Sequence, residues 1–312
     1  MRLGWATLGS LILATAAHAQ TPYQPPRLAD GHPDFGGVWT TAFITRVERP
    51  EGVAYLEATP AQERELVAAE FSGRADLDDP DTAFLGIRAL AKVRGALRTS
   101  LVVEPEDGRI PYSERALAMA QRADQLFVGG YDNPEERDNS ERCLSGAGQP
   151  PIRVIPVMFP FQIVQSPGGT LIATEDPGQA RVVHFTGSPP NDGFNARDGW
   201  SEGSWQGDTL VVVTTHHSAN DPYRSTFGRP IIVGPGSRIV ERFTRLSDTE
   251  LLYQYTVEDS LLYTRPWLAE FSMALNDAEA VLEYACHEGN YTMVNVLKAG
   301  REAERRAGLA GR

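Results

Sequence analysis

Lysine, cysteine and long apolar runs are all scarce in this chain, and each shortage closes off some chemistry. Lys92 and Lys298 are its only lysines. Both sit in charge-rich, helix-like stretches, where a solvated ammonium is expected rather than the desolvated amine that Schiff-base catalysis requires. The two cysteines, Cys143 and Cys286, form no CxxC or CxxCH motif, and neither has a Cys or His partner at finger-like spacing. A c-type cytochrome and a zinc finger are therefore poor fits. There is no Walker loop, no dinucleotide fingerprint after a strand and no G-x-S-x-G elbow. The nearest approach to the elbow, Gly203-Ser204-Trp205-Gln206-Gly207, lacks its glycine spacing. No cofactor is called for.

What is present begins with a leader. Met1 and Arg2 precede an apolar stretch from Leu3 to Ala17, and Ala17-His18-Ala19 stands before Gln20. This reads as a signal peptide over residues 1–19 whose removal leaves Gln20 first. Beyond it there is no run of about eighteen apolar residues, so no stable membrane anchor is expected after cleavage. The formal charge of −12 becomes −13 when Arg2 is removed. Such a surface repels a duplex unless basic residues cluster, and no basic stripe with interleaved aromatics occurs, which excludes nucleic acid as the expected partner. The expected location is periplasmic or secreted. In that setting an even pair of cysteines reads first as a disulfide, Cys143 to Cys286, with two free thiols as the alternative. Composition fixes no oligomeric state.

Along the chain, residues 20–34 are Pro-rich and polar and read as an extended arm. The remainder, 35–312, reads as one domain, mainly β. Its first strand is expected at Phe35-Gly36-Gly37-Val38-Trp39, and a helix at Thr59 to Phe71 with a Thr59/Gln62 capping box and Pro60 at its first position. A second helix is expected over 113–127, with weak helical signals among acidic turns over 72–98. Residues 35–160 thus read as an irregular, partly helical wrapping. From about residue 161 short β-branched and aromatic runs alternate with turn residues. A hairpin joins Phe161–Gln165 to Thr170–Thr174 across Ser166-Pro167-Gly168-Gly169. Further strands are expected at 180–186, 209–215, 237–245, 251–258, 267–275 and 280–286, a spacing that predicts an antiparallel sandwich or barrel. A helix over 291–306 ends the chain.

Three clusters can carry chemistry. Glu283-Tyr284-Ala285-Cys286-His287-Glu288 is the densest in polar groups. On a strand of period two, Glu283 and His287 share a face, and a positioned imidazole beside carboxylates suits proton transfer near neutral pH. The alternative is a set of structural hydrogen bonds at a helix start. His216 and His217 emerge from an apolar run and, with His184 and His287, could build a metal site, although no ligand spacing supports one. Adjacent histidines on an extended chain point to opposite faces, so at most one of the two joins a common site. In the third cluster Glu258 can partner His287, while Tyr253, Tyr255 and Val257 face the other side. Trp200, Trp205 and Trp267 can line an apolar pocket or fill a core, and Tyr255 is a further candidate ligand contact.

The phrases Pro33-Asp34-Phe35-Gly36-Gly37-Val38-Trp39, Asp107-Gly108-Arg109-Ile110-Pro111-Tyr112, Trp205-Gln206-Gly207-Asp208-Thr209-Leu210-Val211-Val212, Val240-Glu241-Arg242-Phe243-Thr244-Arg245 and Tyr284-Ala285-Cys286-His287-Glu288-Gly289-Asn290-Tyr291 together resemble a large family of uncharacterised exported bacterial β-rich proteins. The resemblance implies export and a single β-rich unit, and implies no reaction. It departs from the family pattern at Gly178 and Gln179, where a His-Asp pair is usual, and at His216-His217, where Asn-Phe is usual. Arg181 matches, and could orient an anionic or carbonyl-bearing ligand. Three functional readings follow. The first is a cofactor-independent lyase, isomerase or hydrolase acting on a small organic molecule, with His287 transferring the proton, Glu288, Glu283 or Glu258 as its partner and Arg181 orienting the substrate. The second is a non-catalytic periplasmic protein that binds a small molecule or glycan, with the tryptophans as platform. The third is a histidine-coordinated metal protein.

Overall fold

The computed structural model describes residues 23–72, 87–129 and 131–308, apart from positions 138, 140, 145, 147, 155–159, 176–178, 192, 221, 225, 277 and 279. The leader expected at 1–19, the start of the arm, the weak helical signals over 73–86 and the departure at Gly178 lie outside the described residues. The chain runs through β1 (Gly37–Thr40), β2 (Glu57–Ala58), α1 (Pro60–Phe71), β3 (Lys92–Val93), β4 (Ala96–Arg98), β5 (Val102–Glu104) and α2 (Glu114–Gly129). It continues as β6 (Phe161–Ser166), β7 (Gly169–Thr174), β8 (Gln179–His184), β9 (Trp200–Gln206), β10 (Thr209–Thr215), β11 (Tyr223–Arg224), β12 (Ile231–Ile232), β13 (Arg238–Arg245), β14 (Glu250–Glu258), β15 (Trp267–Leu275) and α3 (Thr292–Arg306).

The large sheet has the order β1-β6-β7-β8-β9-β10-β13-β14-β15-β5, and a further β1–β15 pairing closes nine of these strands into a barrel with β5 as the extra strand. Closure removes the free sheet edges that would otherwise template aggregation. All neighbours are antiparallel except β8 and β9, which pair in parallel through Val183↔Ser201 and His184↔Glu202. A parallel pair needs a crossover, and the segment between His184 and Trp200 supplies it. The barrel is thus the mainly β architecture expected, and it recruits β1 and β5 from the part of the chain read as wrapping.

Alternation fills the lumen. Strand β14 buries Leu251, Tyr253, Tyr255 and Val257, and β15 buries Trp267, Ala269, Phe271 and Met273. Tyr255 and Trp267 meet edge to face at 5.7 Å, so both are core residues. Outside the barrel, α1 is capped as its sequence demands: Thr59 accepts from the Gln62 amide while the Gln62 side chain reaches back to Thr59. It packs Leu66, Val67 and Phe71 on a second small core of Ile44, Leu90 and Leu97. Helix α2 sinks Ala116 and Ala120 into the main core.

The expected strand over 280–286 is absent. Those described residues run as coil into a turn, with no ladder partner, and Leu282, Glu283, Tyr284 and Ala285 are exposed. Strand β9, by contrast, was not anticipated; its sequence, Trp-Ser-Glu-Gly-Ser-Trp-Gln, is too polar to read as a strand. The expected disulfide is present, Cys143 to Cys286, with Cα atoms 5.7 Å apart. It ties the chain entering the barrel to the segment leaving it. No helix among the described residues is long and apolar enough to cross a membrane.

Candidate functional site

The structure scatters the residues singled out from sequence. Arg181, on β8, lies inside the barrel, where it meets Glu241 of β13. Two strands separate β8 from β13 in the sheet, so the contact spans the lumen. Its guanidinium grips the carboxylate at 2.5 and 2.8 Å, and Tyr253 donates to the same carboxylate at 2.7 Å. The phenolic oxygen of Tyr253 accepts from the Ile152 amide at 2.7 Å, which docks a covering segment onto the lumen. Ser201 and Thr214 exchange a 2.8 Å hydrogen bond beside the pair. Burial opposes the charged form of Arg181, and the Glu241 carboxylate with its hydrogen bonds more than offsets this. Burial, then Glu241, pushes the Tyr253 phenol well above its ordinary value. Both terminal nitrogens of Arg181 are thus engaged by Glu241, while its buried Nε has no partner among the described residues.

His287, Glu283 and Glu288 are exposed in the turn-rich segment before α3, and Glu258 lies at the barrel surface paired with Arg238 at 2.9 Å. None of the four shares the Arg181 network. The histidines also part company. His184 stacks on Trp200 at 4.0 Å, and His216 bonds Thr215 at 2.8 Å from a left-handed backbone (φ 60°). His217, which follows that left-handed residue, is fully buried. Burial, then the neighbouring Arg224, lowers its pKa to about 3; the Thr214 carbonyl pulls the other way without meeting hydrogen-bond geometry, and both ring nitrogens lack a partner among the described residues. Among the described residues no three His, Cys, Asp or Glu side chains lie together as a metal site. Trp205 is half-covered by His32 of the N-terminal arm, stacked at 4.5 Å, and Trp267 is sealed in the core.

A cleft of about 440 Å³ opens elsewhere, where four segments meet outside the barrel. The loop after β1 contributes Arg46, Glu48, Arg49 and Glu51; the turn after β5 contributes Arg109; Asp124 of α2 and Arg229 close the far side. Four guanidiniums therefore face three carboxylates on a chain whose overall charge is −12. Arg46 is spoken for by Glu70 at 2.9 and 3.0 Å. The two rim pairs are looser: Arg109 to Glu48 and Arg229 to Asp124 both stand at 3.8 Å, beyond hydrogen-bond length, with the arginines 45% and 41% exposed. Glu48 is turned toward the Ile110 amide, which donates to it at 2.9 Å. Near them Tyr112 bonds the Pro230 carbonyl, and burial raises its phenol far above the ordinary range.

Sequence reasoning named Arg109 only as part of a family phrase and missed Arg46, Arg49 and Arg229. Four arginines spread over 183 positions show no local pattern; the available signal was the scarcity of lysine beside abundant arginine. No family model matches the chain, and no curated protein or solved structure is detectably similar to it.

Proposed function

We propose that this is an exported small-molecule binding protein whose ligand sits in the arginine cleft. The supporting observation is the rim itself: Arg109 and Arg229 stand at the mouth of a cavity of ligand size with guanidinium donors that their 3.8 Å carboxylate neighbours do not saturate. The leader read at residues 1–19 and the disulfide support a location outside the cytoplasm. The acid/base reading has less support, because His287, Glu283 and Glu288 are exposed in a turn while Arg181 is engaged inside the barrel. The metal reading lacks a converging set of ligands among the described residues.

The test is retention. Mature protein incubated with a small-molecule extract of periplasm, washed and then denatured, is expected to release a specific compound detectable by mass spectrometry. Filling the cleft with Glu51→Trp, an exposed position, should abolish retention without lowering stability. Equal retention by the variant would refute the cleft, and conversion of the compound into a new species would replace the binding reading with an enzymatic one.

A further inference from the structure

We infer that the cleft takes a small organic acid, with its carboxylate held on the buried guanidinium of Arg49 and clamped by Arg109 and Arg229. This deepens the binding reading above and rests on it. Arg49 is 5% exposed, and a guanidinium cannot shed its charge to suit such a place. Its protein partners are few. Nη1 donates to the Glu106 carbonyl at 2.8 Å, while Nε is buried with no partner. No carboxylate among the described residues comes within ion-pair distance. Of the five other buried arginines among the described residues, three hold a carboxylate: Arg98 holds Glu270, Arg137 holds Glu141 and Arg181 holds Glu241. An isolated buried cation is costly, so a missing counter-charge at the wall of an open cleft marks the place of an anion that arrives from outside.

The position of Arg49 is built. Its amide donates to the Gly108 carbonyl at 2.9 Å, and a Cβ at Gly108 would stand 2.9 Å from Arg49 Nε and 3.0 Å from Cζ. The guanidinium therefore lies on the turn, and only glycine, at φ +69°, leaves room for it. Asp107 fixes the next residue by accepting from the Arg109 amide at 2.9 Å. The phrase Asp107-Gly108-Arg109 thus seats one cation and presents another, which gives it a role that its sequence alone did not suggest. The surrounding carboxylates Glu48, Glu51 and Asp124 decide the charge of the guest. They oppose a dianionic phosphate more than a single carboxylate, whose planar pair of oxygens also matches the guanidinium fork.

The experiment is calorimetric titration of the mature, disulfide-intact protein with acetate, benzoate, lactate and succinate, each beside its uncharged amide, and with inorganic phosphate. At least one acid should bind, its amide should bind at least about tenfold more weakly, and Arg109→Ala/Arg229→Ala should weaken the acid by about ten- to a hundredfold, as expected for lost charge-assisted hydrogen bonds. Arg49→Lys keeps the charge but loses the fork and should weaken it as well; should that variant not fold, the two exposed rim positions still decide the matter. If acid and amide bind alike and both respond to the rim variants, the cleft stands as a binding site but the organic-acid inference is overturned. Phosphate binding more tightly than every acid overturns the ligand class. Acid binding that ignores the rim variants overturns the site, and no binding by any probe overturns this inference while leaving the retention test to judge the broader reading.

Discussion

Replacing Glu241 by Gln is the most informative perturbation of the barrel. The change is nearly isosteric, so packing is kept while the charge is removed. Arg181 then stays charged in the lumen with a neutral amide in front of it, and the new NH2 group faces at least one guanidinium N–H, donor against donor. An amide oxygen in the place of Oε1 can still accept from both Tyr253 and Arg181 Nη2, which already share that atom, but the bond from Arg181 Nη1 to Oε2 is lost and the NH2 group stands against it. Breaking a buried pair by removing one partner costs roughly 3–5 kcal/mol. For a domain of this size each kcal/mol lowers Tm by about 2–4 °C, so a drop of roughly 6–20 °C is expected. Thermal unfolding under non-reducing conditions, followed by near-UV circular dichroism, measures it. Tyr253→Phe should cost less, roughly 1–3 kcal/mol, since it removes a neutral donor and the acceptor for the Ile152 amide. The double change Arg181→Met/Glu241→Leu should be milder than Glu241→Gln alone, because it removes the charges together. A Glu241→Gln protein within about 1 kcal/mol of the parent would refute the claim that this pair is desolvated and mutually dependent.

Other consequences are as direct. His217 has a folded-state pKa of about 3 against an ordinary 6.5, so the unfolded chain takes up its proton first as pH falls; the associated stability is whole above pH 6.5 and is lost toward pH 3. The slope is up to about 1.4 kcal/mol per pH unit, and His217→Gln should flatten it between pH 6.5 and 5; an unchanged slope would contradict the burial argument. Intact mass without reductant should be two hydrogens below the reduced chain, and Cys143→Ser/Cys286→Ser should cost up to about 5 kcal/mol for a loop closed over 143 positions, whereas alkylatable thiols in native material would refute the bridge. Thr59→Ala should cost about 1 kcal/mol by removing the α1 cap, measured by thermal melting, and no loss would show that the box contributes nothing.

The sequence was legible where local rules act. Strands β10 and β15 fall at the expected residues because they are short β-branched, aromatic and apolar runs bounded by turn residues, and α1 starts where Thr59, Pro60 and Gln62 place it. Alternation also anticipated that Tyr253, Tyr255 and Val257 would share one face, which the barrel turns inward, whereas the extended chain assumed at His216-His217 is broken by the left-handed backbone of His216. It failed at 280–286, where Val281, Leu282 and Tyr284 imitate a strand. The barrel is already closed through the β1–β15 pairing, and that segment instead carries Cys286 to its bridge with Cys143. Strand β9 went unseen for the opposite reason: its ladder with β10 needs only backbone, and Gly203 is required where a Cβ would stand 2.6 Å from Phe185. Arg181 was singled out, but its occupation by Glu241 depends on a contact across the lumen that no local pattern records. The cleft was illegible for the same reason, being assembled from segments after β1, after β5, in α2 and before β12.

The central claim is that a ligand is received between Arg49, Arg109 and Arg229. A crystal structure of the mature protein soaked with the organic acid that binds best in solution tests it most directly. The account predicts density for a carboxylate within hydrogen-bond reach of the Arg49 guanidinium, with Arg109 and Arg229 turned from Glu48 and Asp124 toward it. Density for that acid against Trp205 or beside Arg181 in the barrel, with the cleft occupied by water alone, would contradict it.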